Sequence, residues 1–209
     1  GAYQRLNDEQ KSLVSNLNVL EAAEARLTSI KVENIETRSS LAYHYVKDDE
    51  GNFTFSNIYL RFGGIITKTL WDELDEKFTI TAYGELYSND AYLGVNYLKD
   101  YYNSADGTNV KKSYFELTEN VDSYPVLFNN STYQGVLDNY YVWNLRRSVV
   151  QEDFKTIYAS VAFIDTRDAG VIFLTETRKS VKNIAQDLLD SSSYDENSLD
   201  GSLKYLADI

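Results

Sequence analysis

Apolar residues change their period near residue 39, and the change divides the chain. Upstream, Leu17, Leu20, Ala23, Leu27 and Ile30 recur three and four residues apart, forming one stripe of an amphipathic helix. Asn7 with Gln10 and Asn18 with Glu21 have capping-box spacing, so two short helices are predicted. Two short helices cannot bury that stripe alone. A third helix upstream, with residues 2–6 as its tail, would complete a bundle. Residues 31–38 are mostly polar and read as a linker. From Ser39 the period is two: Leu41, Tyr43 and Tyr45 alternate with Ala42, His44 and Val46. Asp48-Asp49-Glu50-Gly51-Asn52 is a turn, and Phe53 and Phe55 restart the alternation, which predicts a β-hairpin.

The densest apolar run outside the helices is 57–71. It predicts a buried strand, a bend at Gly63-Gly64, a second short strand and a turn into an acidic helix over 70–78. A strand over 78–87 follows, with Gly84 marking a bulge. Residues 99–109 read as a loop, and further strands are expected at 111–117, 140–150, 156–164 and 170–177. The run 124–128 contains Pro125, the only proline, and is placed at a sheet edge because proline cannot donate to a ladder. Val181, Ile184, Ala185, Leu188 and Leu189 share one face of a helix over 178–189, and Leu199, Leu203 and Leu206 one side of a last helix over 198–209. Eight to ten strands on short turns predict a mainly β fold: a β-sandwich, Ig-like or similar, with an N-terminal helical hairpin and C-terminal helices. The expected divisions are a helical repeat fragment (1–36), the β-sandwich (37–178) and a C-terminal helical segment (179–209).

Composition narrows the function classes. At 209 residues with 43% hydrophobic content, the chain can bury an ordinary core without disulfides or metal. A net charge of −12 argues against nucleic acid, whose phosphates need a basic footprint, and against an anionic membrane surface. No run of 18 apolar residues is present, so no membrane insertion is expected. Cysteine is absent, which removes thiolate chemistry. The chain starts at Gly1 and contains no methionine, so it is expected to be a piece of a longer exported protein.

Ala2, Tyr3, Leu6, Asp8-Glu9-Gln10-Lys11-Ser12-Leu13-Val14, Asn16, Leu20 and Ala22-Ala23-Glu24-Ala25-Arg26-Leu27 resemble the end of a three-helix repeat found in large surface and secreted proteins of Gram-positive bacteria. Ser40-Leu41-Ala42-Tyr43, Arg61-Phe62-Gly63-Gly64, residues 80–84 and Ser180-Val181-Lys182 more loosely resemble a β domain of secreted proteins of the same bacteria. The resemblance implies an extracellular or cell-surface location. It implies a spacer role for the repeat and assigns no activity to the β domain.

Each candidate for chemistry has a plainer structural reading. His44, the only histidine, would have to serve any histidine-based catalysis, but it reads as an ordinary strand residue. Asp72, Glu73, Asp75, Glu76 and Glu85 offer carboxylate pairs of the kind glycoside hydrolysis needs, yet a charge cluster on a short helix is usually its solvated face. Asp48, Asp49 and Asn52 are the candidate calcium ligands, with Asp106 and Asn109 as a weaker set; turn chemistry accounts for both. Calcium is the one cofactor considered. Gly63-Gly64 lacks the residues of a phosphate-binding loop.

Aromatic residues are the better sign of binding. Tyr97, Tyr101, Tyr102, Tyr114, Tyr133, Tyr140, Tyr141 and Trp143 crowd the second half. Such rings stack on sugars and anchor protein interfaces. Trp71 and Trp143 are assigned to the core. Tyr101, Tyr102 and Tyr133 are the candidate ligand residues, for an extracellular glycan or protein. The expectation is a non-catalytic module for adhesion or ligand binding, or a spacer. The alternative is an accessory domain of a large secreted carbohydrate-active enzyme.

Overall fold

One strand of 15 residues, Phe53–Thr67, runs through Gly63-Gly64, where the run 57–71 predicts a bend between two strands, and the reason lies in what packs on the glycines. The computed structural model describes residues 35–117, 125–129, 139–190 and 201–209. The helices expected within 1–36, and Tyr133, lie outside the described residues. The chain divides into residues 1–35 and 36–209, and the second unit is described here. It is mainly β, with two antiparallel sheets and a few helices.

The strands are β1 (Ile35–Lys47), β2 (Phe53–Thr67), β3 (Ile80–Asn89), β4 (Val110–Glu116), β5 (Val126–Asn129), β6 (Asn139–Val149), β7 (Tyr158–Thr166), β8 (Gly170–Phe173) and β9 (Thr177–Lys179). The helices are α1 (Lys68–Phe78), α2 (Asp90–Leu93), α3 (Val181–Asp190) and α4 (Ser202–Asp208). The first sheet runs β1-β2-β6-β5; the second runs β4-β3-β7-β8, with β9 also pairing β7. The strand after Pro125 does end the first sheet, where a missing N–H costs least.

In β2, Leu60, Phe62 and Ile66 are fully buried on the face toward the second sheet, where Phe62 stacks on Tyr87 of β3 at 5.9 Å. Burying each such side chain stabilises by about 1.5–3 kcal/mol. Trp143 of β6 lies opposite Gly64 and donates its indole N–H to the Gly84 carbonyl of β3 at 3.1 Å. A Cβ at Gly64 would stand 2.1 Å from Trp143 Cζ2, and one at Gly63 would stand 2.0 Å from the Trp143 carbonyl oxygen. The glycine pair therefore makes room for a neighbour and does not bend the chain. Gly84 also departs from expectation. Its register with β4 and β7 is continuous, and the irregularity falls at Ile80/Ala82. A Cβ on Gly84 would meet the Ser113 carbonyl oxygen at 2.2 Å. Trp71, Tyr83 and Tyr141 complete the aromatic group around Trp143, with centroid distances of 5.2–6.4 Å.

β1 starts at Ile35, inside the expected linker. Its Thr37 is buried because its hydroxyl accepts the Ala162 N–H at 3.0 Å. That N–H is free because the strand expected at 170–177 is two strands, β8 and β9, which pair β7 on either side of Ala162.

Thr67 caps α1 by accepting from Leu70 N at 3.3 Å. The helix buries Leu70, Trp71 and Leu74 and leaves Asp72, Glu73 and Glu76 exposed. These three acids are thus a solvated face, while half-buried Asp75 accepts from Ile80 N at 2.8 Å. The helix expected from residue 178 starts at Val181, because Arg178 and Lys179 are spent on β9. Ser180 and Asn183 exchange hydrogen bonds at its start, with Asn183 N donating to Ser180 Oγ and Ser180 N to Asn183 Oδ1, both at 3.1 Å. Val181, Ile184, Ala185, Leu203, Leu206 and Ala207 join Ile58, Leu60 and Phe62 in one core, so α3 and α4 pack on the sheets.

Candidate ligand-binding surface

Alternation along β3, β4 and β7 leaves a second apolar face on the side of the second sheet turned away from the first. Leu86, Val110, Ala159, Val161 and Phe163 lie there and pack under Leu93 and Leu98 from residues 90–109. This covering explains why β7 is buried almost end to end and lacks the inside–outside pattern of a half-exposed strand. Residues 90–109 form a cap made of α2, a 3-10 turn (Leu98–Tyr101) and turns.

Polar contacts fix the cap. Arg178 Nη1 donates to Asp90 Oδ1 at 2.7 Å and to the Gly94 carbonyl at 3.0 Å, and Nη2 donates to the Asn96 carbonyl at 2.6 Å. Arg178 Nε donates to Glu176 Oε1 at 2.9 Å, while Glu176 Oε2 accepts from Leu98 N at 2.7 Å. One guanidinium thus ties three points of the cap to β9. The planar, multidentate arginine head suits this role where a lysine would not. Asn89 and Asp106 shape the cap's two ends. Asn89 Oδ1 accepts from Ala91 N at 2.9 Å, and Asp106 Oδ1 accepts from Thr108 N at 2.7 Å and Asn109 N at 2.9 Å.

The cap presents aromatic surface. Tyr92 and Tyr97 are 48% and 56% exposed, and half-buried Tyr101 has its ring 6.1 Å from that of Tyr92. Lys99 Nζ and the Arg178 guanidinium lie 5.6 Å and 5.9 Å from the Tyr97 ring centroid. Beside the cap, Lys112 Nζ sits 3.5 Å from the Tyr102 centroid and 5.2 Å from that of Tyr114. Burial holds the Lys112 ammonium below the usual lysine range, with Asp165 opposing the shift. Tyr102 donates its hydroxyl to Asp165 Oδ2 at 2.9 Å and packs edge-on against Phe163 and Phe173 at 5.1 Å and 5.5 Å. Burial, and then donation to Asp165, push the Tyr102 phenol up.

The adjacent candidates Tyr101 and Tyr102 therefore part company. Tyr101 belongs to the cap surface beside Tyr92, whereas Tyr102 anchors the cap to the sheet. Tyr92, Arg178, Lys112 and Asp165 were missed from the sequence. Tyr92 lies on a helix of one turn, too short for periodicity to mark. The others matter only through partners distant in the chain.

The calcium candidates Asp48, Asp49 and Asn52 are exposed in the β1–β2 turn. The Asp48 carboxylate accepts from Asn52 N at 2.7 Å, and from Glu50 N and Asn52 Nδ2 at 3.0 Å each. The Asn52 side chain and then its backbone N–H hold the Asp48 carboxyl below the usual range. Its lone pairs are thereby turned inward to the loop, as those of Asp106 are. Among the described residues no three His, Asp or Glu side chains converge as metal ligands. His44 is exposed on β1 and hydrogen-bonds no serine or carboxylate among the described residues.

Glu85 is 1% exposed on the β3 face toward the first sheet, between Tyr83 and Tyr87. Its two carboxyl oxygens make no hydrogen bond of acceptable geometry. Burial raises its pKa well above the carboxylate range, and the nearby Ser160 hydroxyl offsets only part of that. The carboxyl lies inside the fold and does not reach the cap.

Comparison with protein-family models, curated proteins and solved structures finds no match to this chain.

Proposed function

We propose that residues 36–209 form a non-catalytic ligand-binding module of an extracellular surface protein, built as a β-sandwich, with the cap tyrosines as the contact surface for a glycan. The observation that carries this reading is the exposed Tyr92 beside Tyr101 on a cap tied to β9 by Arg178. Rings fixed in advance lose little entropy when they stack on a sugar. Tyr97 adds a third ring, and the Lys99 ammonium near it is a hydrogen-bond donor for sugar hydroxyls. The plain hydrogen-bonding of Asp48 and Asp106 within their own turns favours binding without calcium. The exposed, solitary placement of His44 favours a role other than catalysis. The surface location rests on the resemblance to Gram-positive surface proteins.

The test is an array of glycans and matrix proteins probed with the 209-residue protein, with calcium and with a chelator. Saturable glycan binding, insensitive to the chelator and weakened by Tyr92→Ala, supports the reading. Binding abolished by the chelator, or glycan binding indifferent to Tyr92, Tyr97 and Tyr101, would overturn it.

A further inference from the structure

The outer face of the first sheet carries a charge arrangement at odds with the rest of the molecule. Arg61 of β2 and Arg146 of β6 are direct cross-strand partners. Leu60 and Phe62 on either side of Arg61 point toward the second sheet, so Arg61 points away from it. Directly opposed residues of an antiparallel pair hold their Cβ atoms about 4.5–5.5 Å apart, and like charges there repel. The chain has 32 acidic residues, yet neither guanidinium has a carboxylate within salt-bridge distance among the described residues. Arg61 Nε is buried with no hydrogen-bond partner. A buried donor left unmatched is unfavourable unless something supplies an acceptor. Arg146 lies with its guanidinium carbon 5.4 Å from the Tyr59 ring centroid, which orients its fork. On the same face Asn144 and Ser148 flank Arg146, opposite Gly63 and Tyr59, and Asn144, Arg146 and Ser148 are all exposed.

We propose that Arg61 and Arg146 form an oxyanion-binding site that takes a carboxylate or sulfate group carried on an otherwise neutral ligand. Two planar forks side by side match such a group with paired N–H···O bonds, and Asn144 and Ser148 supply neutral contacts beside it. An anion between the arginines removes their repulsion. The net charge of −12 limits the ligand to few charges, because a long polyanion would be repelled by the surrounding surface. The site lies on the opposite sheet from the cap and stands independently of the glycan reading.

The experiment follows the arginine Nε–H resonances of the 209-residue protein by NMR, at fixed ionic strength, during titration with glucuronic acid and with galactose 6-sulfate. Glucose and galactose are the neutral controls. Saturable shifts of Arg61 and Arg146 with a charged sugar, at least about tenfold tighter than with its neutral control, are expected. Whichever charged sugar binds more tightly identifies the group. Arg61→Gln and Arg146→Gln should each weaken binding about tenfold, and Arg61→Lys, which keeps the charge and loses the fork, should weaken it too. Equal shifts with neutral and charged sugars, no saturation, or unchanged binding in Arg146→Gln, whose exposed side chain can be replaced without disturbing the fold, would overturn the proposal.

Discussion

The two faces of the second sheet are held by different physics. Toward the first sheet, the contact is steric: Trp143 is seated against Gly63, Gly64 and Gly84, and aromatic rings close around it. Away from it, the cap shares an apolar base with the sheet but is positioned by Arg178 and its oxygen partners. A seat in which an added methyl would stand only 2.0–2.2 Å from its neighbours tolerates almost no substitution. A polar clamp on a half-exposed segment tolerates local opening and leaves the outer rings free for another molecule. The difference separates the part of the protein that specifies the fold from the part proposed for recognition.

The largest effect should come from Trp143. Trp143→Ala removes a buried indole and leaves its glycine-lined seat empty, for a loss of about 3–5 kcal/mol in denaturant unfolding. Gly64→Ala should also destabilise, since the added methyl must displace the indole or the strand. An unchanged midpoint for both variants would break the steric half of the comparison.

Glu85 gives a pH-dependent effect in the same region. Its folded-state pKa is raised, so the folded protein holds a proton that the unfolded chain releases. Stability is therefore full below the unfolded carboxyl pKa. It falls as pH rises toward the folded value, by up to about 1.4 kcal/mol per pH unit. Glu85→Gln should flatten that decline, and its advantage over wild type should grow from about pH 4.5 upward. Parallel stability–pH curves for the two proteins would show that the carboxyl is not held neutral.

Arg178→Ala should cost about 1–3 kcal/mol, discounted for partial exposure, and should act locally. Hydrogen exchange should accelerate across residues 90–109 while protection of β2 and β6 is kept. Uniform loss of protection would mean that the cap and the inter-sheet core form one cooperative unit. Tyr92→Ala should have the smallest effect on stability, within about 0.5 kcal/mol.

Much of the β architecture was legible. The alternation around Tyr43 and Phe53, the turn at Gly51 and the apolar stripes of α3 and α4 are local patterns with local causes. The glycines were misread because a glycine needed for a turn and one needed for close approach look alike until the neighbour, Trp143, is known. The break between β8 and β9 was hidden for a similar reason, since Glu176 leaves the strand to meet Arg178 and Leu98 N. The candidate surface was legible in kind and only partly in detail. Tyrosine density pointed to the segment that forms the cap, but telling surface Tyr101 from anchored Tyr102 required Asp165, Phe163 and Phe173, all far along the chain.

The most direct test is to measure, on the same preparation of Tyr92→Ala, its affinity for the best glycan from the array and its melting temperature. The expected result is an affinity reduced at least about tenfold, consistent with loss of a stacked ring, with the melting temperature within about 2 °C of wild type. Wild-type affinity in this variant, or affinity and melting temperature falling together, would contradict a cap whose exposed rings bind and do not hold the fold.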